Sequence, residues 1–374
     1  MTPSLPVELV RHILELAAPI AYSPSFYLER RALLRACCLV SKTMCEIARP
    51  MLVQVYVADS PEDLVPLEIT RDERKRGSDV KLLVVRRGLP FDDMGMRKCP
   101  ALFALCPGVV ELWLEGVSVV QLTSLGVLQG LRRLNICDGE VTQYRPVDGV
   151  LPSLEELSLS GIGLHDNFFD SFPSVATTPA IRVLGVSGNV DEDHETVFPS
   201  DLPLDVLEKL DILHVDVSDC TNVGRFRSPT SAKLVLDCAL DFSGIDSISE
   251  HAPPFDTLRL WAVHTTLQAR TTTPPSVDWE LSPLAALAAL IPLLPSSPFP
   301  SLRLLILPDI LHPSSSLSDT LERLVRDLLR ICAEKGVEVV FEPVVNWQTD
   351  SILSPAVLNR ARRMRREREE GREE

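Results

Sequence analysis

The sequence predicts an α/β solenoid with one short parallel strand per repeat, set behind a small helical module. Three observations carry this reading. An apolar frame of the form L-x-x-L-x-L recurs along most of the chain. Its most regular copies are spaced by 22 and 23 residues. The first 57 residues lack the frame and show helical periodicity instead.

The clearest copy is Leu154, Leu157 and Leu159, within residues 152–161. The last two are period-2 neighbours and point to one face of a strand. Upstream copies are Val109, Leu112, Leu114 and Leu131, Leu134, Ile136. Downstream lie Ile181, Leu184, Val186; Leu210, Leu213, Val215; Phe255, Leu258, Leu260; and Leu302, Leu305, Leu307. Residues 231–236 hold a weaker copy without the first apolar position. No unit can bury its apolar side alone, whereas stacked neighbours can. The fourth-position residues are Leu112, Leu134, Leu157, Leu184, Leu213, Leu234, Leu258 and Leu305. The step from Leu258 to Leu305 is 47 residues, which implies a degenerate repeat or an insertion. The asparagine of regular leucine-rich repeats, three residues after the frame, occurs only at Asn189. The chain therefore resembles irregular leucine-rich repeats.

The helical start reads as follows. Pro6 tolerates the first turn because its missing N–H has no intrahelical partner, and Glu8 suits the positive end of the helix dipole. Leu9, Ile13 and Leu16, flanked by Val10, Leu14 and Ala17, form a wide apolar stripe ending at Pro19. A second helical stretch runs from about Glu29 to Arg49, with Leu33, Cys37, Val40, Met44 and Ile47 in line. Ser41-Lys42 bends it or splits it in two, Pro50 closes it, and Val53, Val55 and Val57 alternate as in a strand. Such a unit has too much apolar surface to stand alone. It either caps the first repeat or docks a partner.

The run Leu5-Pro6-x-Glu8-Leu9-x-x-x-Ile13-Leu14, then Leu39-Val40-Ser41-Lys42, then Ala48-Arg49-Pro50-Met51-Leu52 resembles an F-box. It is most similar to the F-box-like modules that precede irregular leucine-rich repeats in fungal proteins. Residues 20–27 depart from that pattern by being longer than a compact F-box needs. The resemblance implies a three-helix module that binds the Skp-type adaptor of a cullin ubiquitin ligase. It places Leu5, Pro6, Leu9, Ile13, Val40 and Lys42 at or beneath the adaptor contact.

Residues 59–76 read as a solvated loop or exposed helical face, and residues 80–85 as a buried strand that begins the sheet. Leu122, Leu125 and Leu128 make an apolar row between strands. Proline-rich stretches at 271–275 and 295–298 bracket the long step, with a short helix over 284–290 between them. Leu317, Leu321, Leu324, Leu328 and Ile331 define an amphipathic helix. Gly336 stops it, and Val337, Val339 and Phe341 alternate as a last strand. The chain thus divides into a helical module (1–57), a connector with the first strand (58–100), repeats with a C-terminal cap (101–342) and a charged tail (343–374). The tail is read as disordered or a frayed helix. Within it, residues 362–366 have the composition of a nuclear import signal, diluted by neighbouring acids.

A net charge of −15 argues against general nucleic-acid binding. Nine cysteines, an odd number with no C-x-x-C pair, read as reduced and mostly buried, which argues against a zinc site and for the cytosol or nucleus. The expectation is no signal peptide and no membrane span. Residues 191–195 form the best cluster of potential cation ligands and read as an acidic surface loop. A metal-dependent hydrolase would need Asp191, Asp193 and His194 to converge in a pocket. No catalytic residue, metal or cofactor is predicted.

The expected function is binding. Residues flanking the core positions of each strand must face outward. They include Trp113, Arg133, Asn135, Glu156, His214, Asp216, Arg259 and Trp261, assigned here to target binding. Trp113 and Trp261 either stand open or lie under neighbouring loops. Leu304, Ile306 and Pro308 make their strand apolar on both faces, so the cap helix or the long insertion should cover it. With the F-box resemblance, the expectation is a substrate-recognition subunit, monomeric before assembly, that binds an unknown target protein. The alternative is a repeat scaffold without a ligase, its first helices only capping the array.

Overall fold

A computed structural model of the chain describes residues 6–17, 24–58, 79–86, 103–116, 122–140, 151–163, 168, 172–174, 176–187, 204–216, 234–239, 245, 255–261, 281–295, 299–342, 353 and 355–370. These form two compact units, one up to Ile181 and one from Arg182 onward.

The first unit opens with helices α1 (Val7–Ala17), α2 (Pro24–Val40) and α3 (Lys42–Val53). Ser41 splits the long helical stretch in two. Its extended backbone ends α2, and its hydroxyl accepts the amide of Met44 at 3.1 Å as the N-cap of α3. Leu14, Leu34, Cys37, Ile47, Ala48 and Met51 form the module's core, with Val10 and Leu33 against it. Pro50 does not close α3, contrary to expectation, but lies in its last turn. It removes the N–H that would reach the carbonyl of Glu46. Buried Ala48 and Met51 on either side hold that turn in place.

The strands β1 (Val55–Ala58), β2 (Leu82–Val85), β3 (Glu111–Glu115), β4 (Arg133–Glu140) and β5 (Glu156–Gly163) pair in sequence order, all parallel. The sheet thus begins one strand earlier than residues 80–85. Chain leaving α3 turns at Gln54 and runs directly into β1. One device recurs where each strand begins. A single carbonyl of one strand's lead-in accepts two successive amides of the next. The carbonyl of Gln54 takes Lys81 and Leu82, Lys81 takes Val110 and Glu111, Val110 takes Arg132 and Arg133, and Arg132 takes Glu155 and Glu156, all at 2.7–3.0 Å. Three residues before each frame a tight turn sets the approach. Val109, Leu131, Leu154 and Ile181 donate their amides to Cys106, Leu128, Leu151 and Thr178 at 3.0–3.2 Å. The result is register: Leu112 lies beside Leu134, and Leu134 beside Leu157, each fully buried.

The second unit repeats the device with β6 (Val183–Ser187), β7 (Ile212–Asp216), β8 (Leu234–Ala239), β9 (Thr257–Trp261), β10 (Leu304–Pro308) and β11 (Glu338–Glu342), again in order and parallel. Arg182 and Asp256 supply the forked carbonyls. Leu184 pairs with Leu213, Leu213 with Leu234, and Leu258 with Leu305. Between β8 and β9 the frame slips by two residues. Leu236 faces Leu258, and Cys238, a third core position, faces Leu260. A slip of two preserves the face of every side chain, where a slip of one would invert it.

Helix α4 (Leu204–Lys209) precedes β7. Helix α5 (Leu281–Leu293) occupies the long step and packs on α6 (Asp319–Lys335). Pro292 lies inside α5, one residue from its end. The buried stripe of α6 is Leu321, Val325, Leu328 and Cys332, turned by one residue from the predicted line. Its open face carries Glu322–Arg326 and Arg330–Glu334 pairs at 2.7 and 2.8 Å. Gly336 ends it with φ +70°. The amides of Gly336 and Val337 return to the carbonyls of Ala333 and Cys332. The tail contains helix α7 (Pro355–Glu370), which buries Val357, Leu358 and Ala361.

A Cβ at position 336 would meet no atom within 4 Å. Gly336→Ala should therefore report backbone strain alone, lowering unfolding free energy by about 1 kcal/mol in urea denaturation.

Candidate protein-binding surfaces

The outward strand residues of the first unit form two rows. Val57, Val84, Trp113, Asn135 and Ser158 lie side by side, as do Val55, Leu82, Glu111, Arg133 and Glu156. The rows are apolar at one end and charged at the other. Trp113 rests against Leu82 and Val84, with Val55 and Val57 beside them. Its indole N–H donates to Oε1 of Glu111 at 2.8 Å. Oε2 of Glu111 accepts Nη1 of Arg133 at 2.8 Å, and Nε of Arg133 lies 3.4 Å from Oε2 of Glu156. A second ion pair joins Arg86 Nε to Glu115 Oε2 at 2.9 Å. The arginine side chains keep about a third of their surface open (32%), while Glu111 and Glu156 keep 16% and 12%.

This corrects the expectation of an open row. Trp113 and Arg259 are 4% exposed, Asn135 6% and His214 0%. The indole is covered by the valines of β1 and β2 and has its N–H satisfied, so it is part of the packing. Arg133 and Glu156 are half-buried and remain within reach of solvent. The strand positions of Asp216 and Trp261 are described, facing Asp237 and Ala239, but their side chains lie outside the described residues.

In the second unit α7 is anchored to residues of the β9–β11 edge. Arg360 forms a buried ion pair with Asp256, at the start of β9. Glu342 accepts the amide of Ala356 at 2.8 Å through Oε1, so a carboxylate sits at the positive end of the helix. Arg363 reaches Glu338 at 3.3 Å. Glu338 and Glu342 are the register neighbours of Leu304 and Pro308, so the helix crosses the face that Leu304 and Ile306 present. The cover over β10 was expected from the cap helix or the insertion. The charged tail also lies at this edge, with Arg360 and Arg363 matched to Asp256 and Glu338.

The helical module shows the opposite behaviour. Val10 and Leu14 face its core, yet Leu9 and Ile13 are 43% and 46% exposed. At the α2–α3 junction Leu39 and Val40 are 88% and 72% exposed. Pro6 and Lys42 are also exposed, and Leu5 lies outside the described residues. Val40 therefore leaves the stripe predicted for it, because the break at Ser41 turns it to solvent.

Among the described residues no group of three or more His, Cys, Asp and Glu is placed to hold a metal ion, and no helix is long and apolar enough to cross a membrane. Residues 191–195 and His165 lie outside the described residues. Burial pushes the thiols of Cys106 and Cys332 up to about 11, away from the nucleophilic range. Cys37, Cys38, Cys45, Cys106, Cys137, Cys238 and Cys332 are all free thiols.

No protein-family model matches the chain, and no curated protein registers as a relative. Among solved structures, an internalin (inlF) from Listeria monocytogenes is similar, with 11% identity over 80% of this chain and 72% of that one and a TM-score of 0.31. The assignment of the fold rests on the strand register described above.

Burial raises the carboxyl of Asp256 above its ordinary 3.8, and the Arg360 guanidinium pulls it back down. A raised value means the folded chain holds the proton more tightly than the unfolded one. The stabilisation from this group is full below pH 3.8 and is lost as pH rises through the raised value. Arg360→Met removes the main downward pull. The Asp256 midpoint, followed by carboxyl-carbon NMR, should then move further up, and an unmoved midpoint refutes the pairing.

Proposed function

We propose that the chain is a substrate-recognition subunit of a Skp–cullin–F-box ubiquitin ligase of the fungal leucine-rich-repeat type, working in the cytosol or nucleus. The helical module docks the Skp-type adaptor, and the outward strand faces receive a target protein. Ubiquitin transfer belongs to other subunits, and this chain contributes effective concentration rather than a reacting group.

The observation that carries this reading is the exposure of Leu39 and Val40, with Leu9 and Ile13, in a chain whose frame residues are buried. Apolar side chains held out by a capped helix break are surface waiting for a partner. Leu9, Ile13 and Val40 are among the positions that the F-box resemblance assigns to adaptor contact. For the target, Arg133 offers a half-open guanidinium between two carboxylates, an arrangement that selects by charge.

One observation favours the scaffold reading. Strand β1 follows α3 after a single residue and pairs with β2, as expected if the helices cap the array.

Size-exclusion chromatography with a purified Skp-type adaptor separates the two. The ligase reading expects co-elution, lost by at least about tenfold in affinity for Ile13→Asp and Val40→Asp with circular dichroism unchanged. Co-elution that survives both substitutions overturns the contact assignment. Absence of co-elution leaves the scaffold reading.

A further inference from the structure

We propose that the face of β9–β11 is a binding site for an arginine-bearing helix of a partner protein, and that α7 occupies it in cis as a displaceable stand-in. The proposal rests on the target-binding part of the reading above and is independent of the adaptor.

The site is built from carboxylates at fixed positions on a packed sheet. Asp256 and Glu342 are nearly buried, and Glu338 stands at the rim. Between them Leu304 and Ile306 supply an apolar floor that α7 helps to close. The occupant defines what fits. Val357, Leu358 and Ala361 are buried, while Arg360 and Arg363, three residues apart, reach the carboxylates from one side of the helix. This is the logic of a helix laid in a groove, with apolar anchors and charges that fix its register.

Two features mark α7 as a replaceable occupant. Part of its hold is ionic, and the Arg363–Glu338 pair is more than half exposed, so that pair adds little and is screened by salt. The fit is also incomplete. Among the described residues Oε2 of Glu342 has no hydrogen-bond partner, and Nε of Arg259 lies 4.0 Å from it. A partner helix that satisfies this oxygen gains a contact that α7 does not make. While α7 sits in place, the apparent affinity for the partner is reduced by the fraction of time the site is open.

The test uses the full chain and a fluorescent peptide of residues 355–370. In the Arg360→Glu/Arg363→Glu chain the cis helix is released, and the peptide should bind at least about tenfold more tightly than to the native chain. The peptide carrying the same two changes should bind neither, and Asp256→Asn added to the double variant should abolish uptake. Equal binding to native chain and double variant overturns the proposal, as does binding of the charge-reversed peptide. So does failure of uptake when hydrogen exchange shows residues 355–370 released, since α7 is then only a structural cap. Should the double variant not fold, hydrogen exchange on the native chain decides. Residues 355–370 should exchange about tenfold faster in about 0.5 M salt while α6 is unchanged, and no difference refutes a displaceable helix. Adaptor co-elution involves none of these residues, so loss of one reading leaves the other testable.

Discussion

The shared carbonyl that recurs at the lead-in of successive strands is the contact on which the rest depends. Gln54, Lys81, Val110 and Arg132 each receive two amides from the strand that follows. That fork sets where a strand starts relative to its neighbour. Once the start is set, period 2 does the rest: Leu112, Leu134 and Leu157 meet on one face, while Glu111, Arg133 and Glu156 meet on the other. The forks are backbone contacts, so side chains at the lead-in are free to vary. The frame residues are not, since each fills a place between its neighbours.

The outward face shows how such an array treats polar residues. Alternating charges along a row convert a line of carboxylates and a guanidinium into mutual partners. Glu111 serves both the indole of Trp113 and Arg133, which leaves neither donor stranded beneath the surface. In the second unit the partner is a helix rather than the next strand, and Glu342 serves both its backbone and the neighbourhood of Arg259. In both units the face is held by charge matching at short range, and its apolar residues are screened from water.

Much of the fold was legible in the residues. The frame named the core positions of β3–β10, because a buried strand face leaves an unmistakable spacing. Ser41 was readable as a break, although choosing between bend and split required its hydroxyl on Met44. The slip at β8–β9 was hidden by the weak copy at 231–236, where Cys238 counts as a core residue although the frame ends at Leu236. The tail misled through composition. A run of arginine and glutamate reads as solvated until Asp256, Glu338 and Glu342 are seen opposite it. For Trp113 the sequence left open and covered as equal readings, since pleat geometry gives its direction but not the valines of β1 that pack beside it. A finer signal was present in Cys106, Leu128, Leu151 and Thr178, each buried three residues before a frame start.

The step between β8 and β9 bears on how the array could grow or shrink. Because side chains alternate, strand register in this chain is effectively counted in pairs: an even displacement keeps leucine beside leucine, and an odd one would trade the dry interior for the charged rows. Insertions within strands should therefore survive in twos, whereas loops such as the long stretch before β10 can absorb any length. The pairing of Leu236 with Leu258 and Cys238 with Leu260 is offset by one such pair.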